Sequence, residues 1–242
     1  MKKCILCSAY QKFYSALHNL DNFMKSDDFY TKVSSIDTFL SEFRSITFVL
    51  QKSVAHTEYE KIYEELREKY LTNIECNWLK KKRNEVLKEY PFELSKTIIT
   101  NIYWYGEKKK LLEKTYSYDN WDNATHLYND IKKKLKNYKV PEIYLSIKIK
   151  YSENQNEIDF VKYIEKGLKQ IRMLLNNFDE IINVECQNCK NIKSKSINLM
   201  TNILSREILL ERDYEYIPSN DVLKPKSIMS PIGIAKDYSI DN

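Results

Sequence analysis

The sequence has 242 residues, with 39 Lys and Arg against 34 Asp and Glu and a formal net charge of +5. Only three glycines and five prolines are present, which argues against an all-β sandwich and favours helices. Neither a Rossmann nor a P-loop glycine pattern occurs, so we expect no nucleotide cofactor. The length fits one elaborated domain or two small ones, and the mixed charge permits nucleic-acid binding without requiring it.

The chain is expected to be cytoplasmic and without a membrane partner. No stretch approaches the roughly 18 apolar residues of a spanning helix, and Met1-Lys2-Lys3-Cys4 leads into polar residues rather than a signal core. Five cysteines do not form an even disulfide framework. Thiols or metal ligands in a reducing compartment fit this cysteine usage better.

Four amphipathic helices are predicted in the first 91 residues, because apolar side chains recur there at intervals of three and four. The first begins at Tyr10 and the second follows a cap at Ser34 or Ser35. The third opens at the capping box Thr57-x-x-Glu60. The fourth runs from about Ile74 to Leu87, since Pro91 ends it.

The central segment has a different period. Between Ile143 and Tyr151 apolar and polar residues alternate, which predicts a half-buried strand. Residues 97–105 are rich in β-branched and aromatic side chains and are its predicted partner. A helix is predicted near Asn123 to Lys136, so residues 92–152 are interpreted as a small α+β insertion.

Helical periodicity returns in the last third of the chain, from Ile158 to Ile182 and from Ile197 to Leu210. Beyond Asp213 three prolines predict an irregular tail. The fold is therefore expected to be mainly α, a helical bundle built from residues 1–91 and 153–212 with an insertion at 92–152 and an irregular C-terminal tail at 213–242.

Two cysteine pairs have the spacing of zinc ligands, and we predict a structural zinc site at Cys4, Cys7, Cys186 and Cys189. They meet if the first helix packs antiparallel to the helix at 158–182. The alternative is two independent pairs, with Cys7 a small apolar residue and the second pair exposed in a loop. Cys76 is expected to be a packing residue.

Several lysine-rich runs could contact phosphate or be solvated helix faces. The candidate RNA-binding residues are Arg44, Lys80, Lys81, Lys82, Lys108, Lys109 and Lys110. Tyr103 and Tyr105 could stack on bases next to the second lysine run, although half-buried packing is the stronger interpretation of so tyrosine-rich a chain.

The stretch Arg83-Asn84-x-x-x-Lys88-Glu89 resembles the Arg-x4-6-His motif of HEPN domains, and residues 39–52 resemble the helix that precedes it. HEPN domains are helical bundles of toxins, antiphage defence nucleases and RNA-processing factors. The resemblance covers about Ser34 to Pro91. It implies a homodimer that cuts RNA without a metal, and it carries the catalytic positions onto Arg83, Asn84 and Lys88.

Lys88 stands where the family has histidine. An ordinary lysine, with a pKa of about 10.4, is protonated at neutral pH and is a poor base unless burial lowers its pKa. Arg83, Asn84 and Lys88 share an arc of about 140° on one helix, which favours binding of phosphate over cutting. His18 is the one histidine proposed to approach the motif. The rival hypothesis is a non-catalytic scaffold or protein-interaction subunit with a structural zinc site.

Overall fold

The computed structural model describes residues 4–26, 28–104, 109–118, 133, 143–153, 160–183, 185–205, 211–217, 222–225, 228–229 and 235–236. The chain forms two compact units. The helical unit comprises Met1–Leu94 and Asn156–Glu207, and the strand unit comprises Ser95–Gln155 and Ile208–Asn242.

The described part of the chain is mainly helical, as predicted. Its helices are α1 (Cys7–Lys25), α2 (Phe29–Val54), α3 (Glu60–Leu71), α4 (Ile74–Lys88), α5 (Phe160–Ile182) and α6 (Gln187–Ser205). Among the residues described, no helix combines the length and the apolar character that crossing a membrane requires.

Helices α1 and α2 form a helical hairpin whose facing sides are the predicted apolar stripes. The stripe is fully or nearly buried at Phe13, Leu17, Phe23, Ile36, Phe39 and Leu50. The predicted cap at Ser34 or Ser35 is wrong, because α2 begins at Phe29. The Asp28 carboxylate accepts the backbone N–H of Thr31 at 2.7 Å and caps the helix there.

The predicted capping box at Thr57 also differs from the structure. The chain leaves α2 through His56 in the left-handed region, with φ of 61°. The Thr57 hydroxyl donates to the Val54 carbonyl oxygen at 2.6 Å, and the Glu60 carboxylate accepts the N–H of His56 at 2.9 Å. The Thr57 and Glu60 side chains therefore stabilise the turn between α2 and α3 and do not form the predicted capping box at the start of α3.

Helix α5 runs through the core antiparallel to α1, as the zinc prediction required. Phe160 at its beginning lies 6.2 Å, centroid to centroid, from Phe23 near the end of α1. At the other end of α5, Phe178 contacts Tyr59 edge to face. The seven fully or nearly buried apolar side chains of α5 are Phe160, Ile164, Leu168, Ile171, Leu174, Leu175 and Phe178.

The strand unit contains a five-stranded sheet in the order β2-β1-β3-β4-β5. Its strands are β1 (Leu94–Trp104), β2 (Lys109–Tyr118), β3 (Ile143–Glu153), β4 (Glu211–Ile217) and β5 (Val222–Pro225), while β6 (Ile228–Met229) pairs with β7 (Ala235–Lys236). The predicted strand at 143–151 is confirmed, and its predicted partner at 97–105 is confirmed up to Trp104, since residue 105 lies outside the described residues. The predicted helix at 123–136 lies outside the described residues except for Lys133, which is helical.

The predicted irregular tail is corrected by β4 and β5, which pair with β3 and with each other in antiparallel register. The prolines misled the prediction, since neither Pro218 nor Pro225 interrupts a described strand. Pro218 follows the last residue of β4, and Pro225 ends β5, the edge strand of the sheet. An edge strand tolerates a residue that has no N–H to donate.

A carboxylate holds the segment that follows α4 against α2. Asp37 Oδ1 accepts the backbone N–H of Phe92 at 3.0 Å, and the Phe92 side chain is buried against Trp78 and Phe160. Burial raises the pKa of Asp37, and the smaller effect of the Phe92 hydrogen bond lowers it. Folding therefore disfavours the ionised form of this carboxyl group.

Replacing Asp37 by alanine is expected to lower the free energy of unfolding by about 1–3 kcal/mol, because the Phe92 N–H loses its acceptor. Asp37→Asn keeps an oxygen acceptor and removes the charge. Since the folded pKa lies above the unfolded value, the Asp37 contribution to stability falls as pH rises from the unfolded pKa to the folded one and is level above it. Urea unfolding across that pH range should show a shallower decline of the free energy of unfolding in Asp37→Asn than in the wild type. Equal stability of the alanine and asparagine variants would contradict the assignment of Asp37 as the acceptor for the Phe92 N–H.

Candidate metal centre and basic helix surface

Three cysteines from the two ends of the helical unit converge at the start of α1. Cys7 is the first residue of α1, Cys4 lies one turn before it, and Cys186 immediately precedes α6. The sulfur atoms of Cys4, Cys7 and Cys186 all lie within 4.8 Å of one another, and Cys7 Sγ is 3.6 Å from Cys186 Sγ. These three residues are therefore placed to hold a metal ion.

The thiols influence one another's ionisation. Burial, and after it the neighbouring thiols of Cys4 and Cys186, raise the pKa of Cys7 to about 12. In contrast, the pKa of Cys186 is lowered, first by the backbone N–H of Cys189 and then by Cys7. Several thiolates cannot accumulate here unless a positive charge compensates them. A bound divalent cation supplies that charge and so favours deprotonation of its cysteine ligands.

The fourth predicted ligand, Cys189, lies beside the cluster in the first turn of α6. Its side chain is 2% exposed, and it falls outside the group of three sulfurs that lie within 4.8 Å. Burial raises the pKa of the Cys189 thiol, with further contributions from Cys4 and Cys7. The position of Cys189 contradicts the alternative of an exposed pair in a loop.

Sequence reasoning missed Tyr10, which lies one turn after Cys7 on α1. Tyr10 is 2% exposed, and within the described residues its hydroxyl has no hydrogen-bond partner. Burial raises the Tyr10 pKa, and Asp179 and Cys189 raise it further. A buried hydroxyl without an acceptor next to a cysteine suits a donor to a metal-bound thiolate. The signal in the sequence was only its spacing from Cys7.

Cys76 is separate from this cluster and is buried on α4, as predicted. Its side chain is 6% exposed, and its backbone N–H donates to the Asn73 side chain that caps the helix. Burial raises the pKa of the Cys76 thiol to about 11. A protonated, enclosed thiol of this kind is a packing residue.

The residues that carry the HEPN resemblance lie along α4. Asn84 and Lys88 are exposed, and Lys80 is exposed one turn before Asn84. Arg83 is half-buried: its Nη1 donates to Asn84 Oδ1 at 3.1 Å, whereas its Nε is buried and has no partner among the described residues. Asn84 and Lys88 are therefore accessible residues of the motif, and the surface that they form with Lys80 is called the α4 strip below.

The two lysines that follow Lys80 share one carboxylate within the helix. Lys82 Nζ lies 2.6 Å from Glu85 Oε2, and Lys81 Nζ lies 3.7 Å from Glu85 Oε1. Glu85 thus compensates the lysines that follow Lys80, and the described structure shows no such ion pair for Lys80 or Lys88. Of the predicted RNA-binding run on α4, Lys80 is the exposed cation without a carboxylate partner.

The other predicted RNA-binding residues belong to other elements or lie outside the described residues. Arg44 is half-buried on α2, and its guanidinium donates to the Thr47 hydroxyl at 2.5 Å. Lys108 lies outside the described residues. Lys109 and Lys110 belong to β2, where they pair with Trp104 and Tyr103 of β1. His18 is exposed on α1, and the structure gives it no contact with α4 within the described residues.

We compared the chain with known protein families, with curated proteins and with solved structures, and none of them matches it.

Proposed function

We propose that this chain is an RNA-associated protein of a bacterial toxin or antiphage defence system, with a HEPN-like bundle that binds RNA through α4 without cutting it. The observation that carries the proposal is the α4 strip, in which Lys80, Asn84 and Lys88 are exposed one helical turn apart. Two ammonium groups flanking an amide donor form a surface that contacts phosphate oxygens without reading base identity.

The chemistry of the strip favours binding. Cleavage of the HEPN type needs a group that moves protons between the ribose hydroxyl and the leaving oxygen, and Lys88 occupies the position of that histidine. The Arg83 guanidinium, half-buried and bonded to Asn84, holds the amide of Asn84 in place. In this proposal Arg83 orients the strip, and Lys80 and Lys88 supply the charge.

A structural zinc ion is the second part of the proposal. Cys4, Cys7, Cys186 and Cys189 would hold it as four thiolates, a closed set that leaves no position for substrate. Its place explains its role: it would join the beginning of α1 to the beginning of α6 and hold the two ends of the helical unit together. The Tyr10 hydroxyl would donate to the Cys189 thiolate.

Helices α2 and α4, which carry the two halves of the HEPN resemblance, pack against each other. In HEPN domains the corresponding helices face a second protomer. We therefore extend the proposal to a homodimer in which two α4 strips lie on one composite surface.

The RNA-binding proposal predicts that neutralising both cations of the strip weakens RNA binding and flattens its salt dependence. Lys80→Gln/Lys88→Gln should lower the slope of log K against log salt by about 1.4, because each phosphate contact to a single strand contributes about 0.7. The measurement is fluorescence anisotropy with a mixed single-stranded RNA pool in EDTA, with gel analysis of the same samples to show that the RNA stays intact.

The matched control is Lys61→Gln, an exposed lysine on α3. It should leave the slope unchanged if the α4 strip, rather than the total charge, binds RNA. Equal slopes for all three proteins would contradict RNA binding at α4. Metal-independent cutting by the wild type that is lost in Arg83→Ala would contradict the non-cleaving part of the proposal.

A second candidate, a protein-binding scaffold, is favoured by exposed apolar side chains on and just after the same helix. Ile74 is 71% exposed, Leu87 is 51% exposed and Tyr90 is 44% exposed. Single exposed apolar residues are common, but Leu87 and Tyr90 lie three residues apart at the end of α4 and suit an interaction surface. Purified protein free of absorbance near 260 nm that retains one defined protein through Leu87 would favour this candidate.

A further inference from the structure

One close sulfur-to-sulfur contact at the cysteine cluster joins the two motifs. Cys7 Sγ and Cys186 Sγ are 3.6 Å apart although 179 positions separate them in the chain. A disulfide bond is about 2.05 Å long, so a small movement of the two sulfur atoms towards each other is enough for the bond to form. The sequence spacing had directed attention to Cys4 with Cys7 and to Cys186 with Cys189.

The four cysteines also differ in their access to solvent. Cys4, Cys7 and Cys186 are partly exposed, whereas Cys189 is buried in the first turn of α6. A small oxidant can reach these three sulfurs more readily than the fourth. Access therefore disfavours Cys189, and the 3.6 Å approach of Cys7 to Cys186 selects the pair that joins the two motifs.

We propose that Cys7 and Cys186 are an oxidation site, at which a hydroperoxide converts the two thiols into a disulfide and thereby prevents metal binding. The second clause rests on the proposed zinc site, while the first does not. The disulfide would take two of four ligands from the metal, and the remaining two cysteines do not complete a tetrahedral site.

The reaction balances with the hydroperoxide as the oxidant. One sulfur of the pair attacks the peroxide oxygen, the O–O bond breaks, and a sulfenic acid and one molecule of water or alcohol result. The second sulfur then attacks the sulfenic sulfur, the S–S bond forms, and the departing hydroxide takes a proton to become water. Two thiols lose two electrons in total, and the peroxide gains them.

The disulfide has a structural consequence that metal loss alone does not have. It joins the first residue of α1 to the residue before α6, which are the same two helix ends that zinc would hold. The oxidised, metal-free chain keeps a covalent connection between these ends, whereas the reduced, metal-free chain has none. Oxidation would thus remove the metal without releasing the ends of the helical unit.

The test uses the full chain in two forms, reduced and metal-free or reduced and loaded with zinc. Each is titrated with hydrogen peroxide, quenched with an alkylating reagent and digested, and the cross-linked peptides are identified by mass spectrometry. A chromogenic chelator follows zinc release in the loaded form. Cys76→Ala is the matched control because Cys76 is buried on another helix.

We expect a Cys7–Cys186 cross-link in both forms, reversal by dithiothreitol, and release of zinc in proportion to the cross-link. The Cys76→Ala variant should behave as the wild type. A Cys4–Cys7 or Cys186–Cys189 cross-link as the main product, no cross-link, or a full cross-link with zinc retained would overturn the proposal. A metal-free chain that forms the Cys7–Cys186 bond but never retains zinc would support the oxidation site and overturn the zinc site, so the two failures are distinguishable.

Discussion

Replacing Gly167 by alanine is expected to lower the free energy of unfolding of the helical unit by about 2 kcal/mol. Gly167 lies on α5 where α2 and α4 approach it, and a β-carbon there would overlap Leu79 Cδ1 and lie 3.3 Å from Phe43 Cζ. Alanine gains about 1 kcal/mol of helix propensity over glycine. Overpacking costs about 3 kcal/mol, because Leu79 is 1% exposed and Phe43 is 7% exposed and neither can turn towards solvent.

The measurement is urea unfolding, and the identity of the overlapping residue can be tested separately. Leu79→Ala alone should destabilise by about 2–5 kcal/mol. If the overlap is with Leu79, adding Gly167→Ala to Leu79→Ala costs nothing further, since the new β-carbon enters the space left by the leucine. Leu50→Ala, roughly 10 Å further along α2 than Phe43, serves as the control in which the two effects should add. Additive effects with Leu79→Ala would refute the proposed contact.

Gly167 illustrates what the sequence could not predict. The period of three and four indicated each helix of the described helical unit, because burial of an apolar stripe is a property of each helix by itself. The last helix was placed too late in the chain, since α6 begins at Gln187 and not at Ile197. The caps were less predictable, since Asp28 and Ser34 are equally good capping residues and only the turn before α2 decides between them. The close approach of α2, α4 and α5 at a glycine depends on three segments that are distant in sequence.

The strands after Asp213 were missed for a similar reason. The segment 211–217 is short and polar, and three prolines follow it, so its local pattern indicates an irregular tail. Their pairing with β3 is a contact between residues about 70 positions apart, such as Ile143 with Tyr216. The residue pattern of one strand does not indicate its partner strand, so the register of the pair follows only from the folded sheet.

The cysteine cluster was the most predictable part of the candidate site. The spacing of each pair, together with an antiparallel α1 and α5, was enough to bring Cys4, Cys7 and Cys186 together. Two features of the site were less evident in the sequence. One is the Tyr10 hydroxyl, which has no hydrogen-bond partner among the described residues, and the other is the sharing of Glu85 by Lys81 and Lys82. An acidic residue three or four positions after a lysine is a common helical pair, and it changes which cations of a basic run remain available.

Removing zinc is expected to have the largest effect on stability. A ligand at a concentration a thousand times its dissociation constant stabilises the folded state by about 4 kcal/mol. For a folding unit of this size that corresponds to a rise in Tm of roughly 10 °C. Differential scanning calorimetry in a non-thiol reductant should show this rise when zinc is added to the metal-free chain and its loss when a chelator follows. Elemental analysis should find one zinc per chain.

Two alanine variants distinguish a bound ion from a general effect of zinc on thiols. Cys7→Ala removes a central ligand at the first position of α1, where alanine suits the helix, and should abolish the rise in Tm. Cys76→Ala removes a buried thiol of the same size from α4. It should lower the Tm of the metal-free chain but keep the full rise with zinc, because a cavity in the core and a ligand at the metal are independent losses. An equal rise in wild type and Cys7→Ala would show that zinc acts elsewhere on the chain, and the cysteines would then hold the helix ends only by packing.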